Sequence, residues 1–360
     1  MIKDKSIFIK NIYYMLSYAF TTLHQGGYED VAAEEFENMH NLFAAILAKG
    51  ISRQLKQGLY REYIYRKEDI GGVRGKIDMQ GTIQNRFARK RVLTCEYDEL
   101  SENNLLNQIL KTTVLLLLKH ARVSPEYKDN LKKEMLFFSH VDAIDPALIR
   151  WSAIRFQRNN STYRMLISLC QLIVEGMLLT TDSGDYKLAS FIDEQRMSRL
   201  YEKFILEYYT KEHPELSANA SQIRWVTDDG FTTMLPEMQS DITLSPRNRS
   251  NEVLIIDAKY YSRTTQTNYD THSLHSNNLY QIFTYVKNRD AEFGKVPHKV
   301  SGMLLYAATD EAIQPNHTYQ LSGNKISVRT LDLNQDFSAI ASQLDRIVVE
   351  HFGTNGKPEE

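Results

Sequence analysis

Three residues in the C-terminal half have the types and spacing for metal-assisted hydrolysis. Asp257, Ala258 and Lys259 close the apolar run Val253-Leu254-Ile255-Ile256, a buried-strand signature in which two charges are expensive without partners or a task. Strand alternation puts Asp257 and Lys259 on one face and Ala258 on the other. Upstream, Asp241 lies in the strand-like LPEMQSDITL, and the polar stretch SPRNRSN reads as a turn between antiparallel neighbours. That hairpin brings Asp241 beside Asp257. Two carboxylates at one point repel, so holding both ionised calls for a cation, and oxygen ligands favour Mg2+. Lys259 then orients or activates a water and offsets charge building on a phosphate. The bland alternative is a cross-strand Asp–Lys ion pair without metal. An acid-x-Lys triplet alone decides nothing, since Glu126-Lys128 and Asp185-Lys187 repeat it in polar or turn-rich surroundings.

Two further elements could complete such a site. Glu202 borders the helical stripe Leu200, Tyr201, Phe204, Ile205, from which a carboxylate reaches over a sheet edge toward the metal or its water; a solvated glutamate paired with Arg199 or Lys203 is the alternative. Gln281 and Tyr285, one helical turn apart in LYQIFTY, share a helix face just after the Asp-Ala-Lys strand and its loop. They are placed to hold a nucleic-acid backbone or the lysine.

The elements that must position these residues point to an α+β chain in two parts. Ile12, Met15, Leu16, Ala19 and Met39, Leu42, Phe43, Ile46 give helical stripes, and residues 58–97 form a β-rich finger in which Gly71, Gly72, Gly75 and Gly81 read as hairpin turns. Ser101 reads as the N-cap of a helix through Leu117, and Tyr163 to Met177 forms another. We place the division near 190: a helical base with its finger over 1–190, a mixed sheet flanked by helices over 191–352, and a tail at 353–360. In the second part a helix, three strands, a helix, a strand, a hairpin turning at Gly323-Asn324 and a closing helix follow in order.

Composition narrows the class. The 360 residues are 42% hydrophobic and 24% charged with a net charge of −2, which excludes disordered and fibrous classes. That near-neutrality is a cancellation of +4 over residues 1–190, −5 over 191–352 and −1 in the tail. Residues 51–91 hold eleven basic and four acidic side chains, fitting DNA phosphate, a carboxylate-lined partner or simply a solvated β-hairpin. Two cysteines without ligand spacing support neither disulfides nor zinc. No apolar run approaches the roughly 20 residues of a membrane span, and the charged N-terminus lacks a secretory signal; a cytoplasmic protein without a membrane partner is expected. GGVRGKI superficially suggests a phosphate loop, but its first glycine is misplaced and Ile77 takes the Mg2+-binding Ser/Thr position. The chain is not expected to bind nucleotide.

A strand Asp, Asp-Ala-Lys at a strand end, a preceding helical Glu and a following Gln-x-x-x-Tyr resemble the PD-(D/E)xK nuclease core of the RecB-like type. In this sequence Pro236 is followed by Glu237, which leaves Glu237 as a competing metal ligand with Asp241. The strings KNIYYMLSYAF, VRGKID, YDELSENNLLNQILK, MSRLYEKFILEYY, LPEMQSDIT, LIIDAKYYS and HSNNLYQ, in this order, resemble the McrC family, nuclease subunits of McrBC restriction systems. The resemblance implies a restriction-endonuclease-like C-terminal fold and a Mg2+-dependent endonuclease for double-stranded DNA containing modified cytosine, such as 5-methylcytosine. It implies Asp241, Asp257 and the Ala258 carbonyl as metal ligands, Lys259 as the water-positioning residue, and Glu202, Gln281 and Tyr285 in support. It also implies a partner, a McrB-type AAA+ GTPase ring that binds the GTP and that the N-terminal part enters and stimulates. Arg74, Gly75 and Asp78 are the chosen contacts with that ring. A free-standing RecB-like repair nuclease and a non-catalytic activator of an NTPase ring are the rival readings.

Overall fold

The computed structural model describes residues 3–4, 7–20, 28, 31, 34, 36–156, 161–182, 194–261, 265–268, 271–309, 311 and 314–353. The chain divides into two compact units, Met1–Leu42 with Ser183–Glu360, and Phe43–Asp182. The expected cut near 190 and most of the tail lie outside the described residues.

Two short antiparallel strands, β1 (Lys3–Asp4) and β2 (Ile7–Phe8), lead into helix α1 (Ile9–Ala19). This helix belongs with the C-terminal sheet, whereas the sequence division kept it with the finger. Its side chains explain why. Tyr14 stacks on Phe337 with ring centroids 4.4 Å apart, Tyr18 donates to Glu212 Oε1 at 2.8 Å, and Asn11 Nδ2 donates to the carbonyls of Leu333 and Gln335. A periodic apolar stripe shows that a helix is covered, not what covers it.

Helix α2 (Met39–Gln57) precedes the finger, which consists of β3 (Glu62–Ile70), β4 (Lys76–Ile77), α3 (Met79–Phe87) and β5 (Leu93–Ser101). The strands form an antiparallel sheet in the order β3-β5-β4. The finger therefore contains a helix where only hairpins were expected. Asp78 caps it, accepting from the Gln80 amide at 3.1 Å. Gly81 is a helical position, not a turn: a Cβ there would lie 2.6 Å from Thr94 Oγ1. Gly75 does turn the chain, at φ +69°, and a Cβ would meet that of Tyr97 at 2.6 Å. Ser101 ends β5, and the true N-cap of α4 (Leu105–Lys119) is Asn104, which accepts from the Asn107 amide at 3.2 Å. Asn104 and Asn107 both donate to the Tyr60 carbonyl, at 2.8 and 2.9 Å, and tie the finger to its base. Helices α5 (Pro125–Met135) and α6 (Ser161–Asp182) complete this unit.

The other unit continues with α7 (Glu194–Glu212), β6 (Leu216–Asn219), β7 (Gln222–Ile223), β8 (Met238–Gln239), β9 (Ile242–Pro246) and β10 (Glu252–Lys259). Then come β11 (Thr265–Asn268), β12 (Thr271–Leu274), α8 (Ser276–Glu292), β13 (Lys299–Ala307), β14 (His317–Leu321), β15 (Asn324–Leu331) and α9 (Phe337–Phe352). The main sheet has six strands in the order β14-β15-β13-β10-β9-β6, so β10 lies inside it. β10 pairs parallel with β13 and antiparallel with β9, making the sheet mixed, as expected. A parallel pair needs a crossover, and α8 provides it. Its Ile282 and Val286 pack with Val253, Ile255, Val300 and Leu304. Gly302 permits that approach, since a Cβ there would lie 2.8 Å from both Ile282 Cγ1 and Val286 Cγ2. Among the described residues no helix is long and apolar enough to cross a membrane.

Candidate active site

The antiparallel register of β9 and β10 pairs Leu254 with Leu244, Ile255 with Thr243 and Ile256 with Ile242. One step further it sets Asp241 opposite Asp257, where opposed residues point to the same face. The ladder ends there, and the Asp241 side chain takes over from the backbone: its Oδ2 accepts the Ala258 N–H at 2.9 Å. Asp257 is wholly buried. Its Oδ2 touches Lys259 Nζ at 2.8 Å, while Oδ1 has no hydrogen-bond partner.

The electrostatics follow from this crowding. Burial raises the pKa of both aspartates, opposed by the Lys259 charge, and for Asp257 the neighbouring Asp241 adds to the rise. Burial works against the Lys259 ammonium too, but Asp257 outweighs it and the lysine pKa is raised. One cation therefore faces two carboxyls that resist being ionised together. A buried carboxylate oxygen without a donor, beside a second carboxylate, fits an oxygen-seeking cation. No group of three or more His, Cys, Asp or Glu side chains forms a ready metal cage among the described residues, so carbonyl and water oxygens must complete any coordination.

The supporting residues are brought in by two helices. Glu202 on α7 is half-buried and accepts from Ser198 Oγ at 3.3 Å; burial first, then the Asp241 charge, pushes its pKa up to about 7. The paired-with-Arg199 alternative supplies only a minor opposing effect. On α8, Gln281 Oε1 accepts from Lys259 Nζ at 3.4 Å, and Gln281 Nε2 donates to the Tyr285 hydroxyl at 3.0 Å. The amide is thereby oriented with its carbonyl toward the lysine. Glu237 is exposed at the end of the loop before β8, and the ladder contact to Ala258 is made by Asp241.

In the finger, Arg74 pairs with Glu99 at 3.2 Å and lies over the Tyr97 ring, 4.0 Å from its centroid. Asp78 pairs with Lys67 at 2.6 Å besides capping α3. Part of the basic excess over 51–91 is met from β5 and the residue after it: Glu102 takes Arg61, Glu99 takes Arg66 and Arg74, and Glu96 takes Lys67. Arg86, Arg89, Lys90 and Arg91 remain exposed together at the end of α3.

Sequence reasoning missed Asn278 and Tyr306. Both are buried, and Asn278 Nδ2 donates to the Tyr306 hydroxyl at 2.9 Å. The available signal was Asn278 one turn before Gln281 in HSNNLYQ.

A six-stranded mixed sheet with Asp241, Asp257 and Lys259 at the end of its inner strands defines an α+β chain with a buried acid pair and a lysine. Residues 4–307 match the family model described as the McrBC 5-methylcytosine restriction system component, and the chain belongs to that family. It is 28% identical over 348 residues to the type IV methyl-directed restriction enzyme EcoKMcrBC of Escherichia coli (strain K12), covering 96% of this chain and 98% of that one. Two solved structures from Thermococcus gammatolerans are similar. One, a half-complex from a tetradecameric assembly of McrB AAA+ hexamers with bound McrC, matches at TM-score 0.48 and 19% identity over 92% of this chain and 75% of that one. The other, a McrBC complex, matches at TM-score 0.42 and 22% identity over 57% and 59%.

Proposed function

We propose that this chain is the nuclease subunit of a restriction system directed at double-stranded DNA carrying modified cytosine. It acts as a Mg2+-dependent endodeoxyribonuclease together with a McrB-type AAA+ GTPase ring, whose GTP hydrolysis it stimulates in the cytoplasm. The observation that carries the nuclease reading is the buried pair Asp241 and Asp257 with Lys259 at 2.8 Å from Asp257. Family membership supports the partner.

The reaction is hydrolysis of a DNA phosphodiester. Asp241, Asp257 and the Ala258 carbonyl would hold the cation, with Glu237 as the competing ligand. When bound, Mg2+ supplies positive charge to the phosphate and acidifies a water. Lys259 holds the attacking water and offsets charge that grows on the phosphate oxygens. Gln281 keeps the Lys259 ammonium in place from the α8 side, and Tyr285 keeps Gln281 turned toward it. Glu202, titrating at about 7, is suited to take up and return a proton beside Asp241 near neutrality. In the finger, Arg74, Gly75 and Asp78 form the turn offered to the ring, and their ties to Glu99, Tyr97 and Lys67 keep its shape. The GTP belongs to the partner, because GGVRGKI lacks a phosphate-loop pattern.

Substituting Asp257→Ala or Lys259→Ala is expected to abolish cleavage while leaving GTPase stimulation intact. Cleavage retained by purified Asp257→Ala, with partner and GTP present, refutes the assignment. Cleavage by the isolated wild-type chain favours the free-standing nuclease, and stimulation without any cleavage favours the non-catalytic activator.

A further inference from the structure

Beside the acid pair and lysine lies a second polar group that the proposed reaction does not yet use. Parallel pairing of β10 with β13 sets Tyr306 opposite Lys259, so the two side chains share the α8-facing side of the sheet. Tyr306 has no exposed surface and packs in the same core as Ile282 and Tyr285 of α8. Its hydroxyl accepts from Asn278 Nδ2 at 2.9 Å. The carbonyl of the same amide accepts from the Tyr261 hydroxyl at 3.3 Å. Tyr261 stands two residues beyond Lys259, in the chain leaving β10, and packs against the same core as Tyr306. One buried asparagine thus joins α8, β13 and the chain leaving β10.

A polar knot of this kind is costly to bury unless fully satisfied, and a hydrophobic trio would pack these elements without it. Its location accounts for it. Asn278 precedes Gln281 by one helical turn, and Gln281 Oε1 is the neutral acceptor for Lys259 Nζ, at 3.4 Å. Among the described residues that ammonium also pairs with Asp257 Oδ2, at 2.8 Å. Anything that lets the first turn of α8 drift from the sheet takes the Gln281 carbonyl away and leaves Lys259 on Asp257. Tyr306 also feels both the Asp257 and the Lys259 charge, which places its hydroxyl within the same electrostatic neighbourhood.

We propose that the Asn278–Tyr306 hydrogen bond is a positioning element for Lys259: it fixes the first turn of α8 on β13 so that Gln281 shares the ammonium with Asp257. Neither residue touches the substrate. The inference rests on the nuclease reading only for its consequence in catalysis.

The test uses Tyr306→Phe, which removes one oxygen at nearly constant volume, with Asn278→Ala as the stronger variant. Each is measured in the full chain with partner, GTP, Mg2+ and methylated plasmid. The maximal cleavage rate is expected to fall by about tenfold or more with KM for DNA unchanged, and the melting temperature to fall modestly because Asn278 Nδ2 loses its acceptor. In parallel, the Lys259 side-chain resonance of lysine-labelled, metal-free protein, identified by its loss in Lys259→Gln, is expected to move in Tyr306→Phe. Unchanged rate and unchanged resonance overturn the proposal. So does a loss of rate accompanied by a changed KM and an unmoved resonance, which marks a purely structural knot. If wild-type protein does not cut DNA, the nuclease reading fails, and the resonance alone decides the positioning claim.

Discussion

Asp241 and Asp257 face each other one step beyond the last rung of the β9–β10 ladder, and the Asp241 carboxylate accepts the Ala258 N–H at 2.9 Å. The same carboxylate therefore has a structural task, finishing the ladder, and an electrostatic one, crowding Asp257. The two can be separated by substitution.

Asp241→Asn retains a carbonyl to accept the Ala258 N–H but loses the charge, whereas Asp241→Ala leaves that N–H without its acceptor. Both are expected to lose cleavage. Only the alanine is expected to lose stability, by about 1–3 kcal/mol for a buried donor left unpaired. Thermal melts of the two proteins check this; equal melting temperatures would remove the structural task from Asp241.

The raised carboxyl pKa values set a pH dependence for metal-free protein. Asp257 binds its proton more tightly folded than unfolded, so its contribution is fully present below the unfolded value of 3.8 and is lost as pH rises through the higher folded value. Asp257→Asn is thus expected to raise the melting temperature at pH 8 by roughly 3 °C or more, and to have little effect at pH 3.5. Mg2+ is expected to stabilise wild-type protein more at pH 8 than at pH 5, and the Asn variant at neither. Melting curves with Mg2+ and with EDTA provide the measurement.

His351 gives the opposite slope. It is buried in α9, and burial, with the Lys299 and Lys325 charges, lowers its pKa from 6.5 to about 4. A depressed value means the unfolded chain takes up the proton first, so stability is present above 6.5 and declines as pH falls toward 4. The full loss is of the order of 3 kcal/mol. His351→Leu is expected to flatten this decline between pH 7 and pH 4.5, measured by denaturant unfolding; an unchanged slope assigns the acid sensitivity elsewhere.

Gly75→Ala places a methyl group at φ +69° and against Tyr97. A cost of about 2 kcal/mol is expected, confined to the finger unit. GTPase stimulation should weaken while the Mg2+-dependent melting shift, which reports on the acid pair, stays. Loss of both signals would show that the finger and the sheet unit do not respond independently.

The acid pair was legible because an antiparallel register is fixed by its turn, and SPRNRSN left little choice of partner for Asp241. Lys259 followed from strand alternation. The finger helix was not legible: MQGTIQNRF carries a glycine and little apolar periodicity, and its stability comes from the Asp78 cap and from Gly81 lying on Thr94. Four of the eleven basic residues over 51–91 pair with Glu96, Glu99 and Glu102, adjacent in the sheet or at its end but beyond that stretch of sequence, which only the β3–β5 register reveals. The destination of α1 depends on Phe337, Leu333 and Gln335, more than three hundred residues away in sequence. Asn278 drew no attention in the sequence because its partner Tyr306 comes from β13, 28 residues further on.

The central claim is that Asp241, Asp257 and Lys259 cut DNA with Mg2+ on delivery by a GTPase partner. Plasmid cleavage by the chain, with and without a McrB-type partner, GTP, Mg2+ and cytosine methylation, tests it most directly. Double-strand cleavage only when all four are present is expected, with none in Asp257→Ala. Equal cleavage of unmethylated plasmid by the chain alone, or cleavage that survives Asp257→Ala, would contradict it.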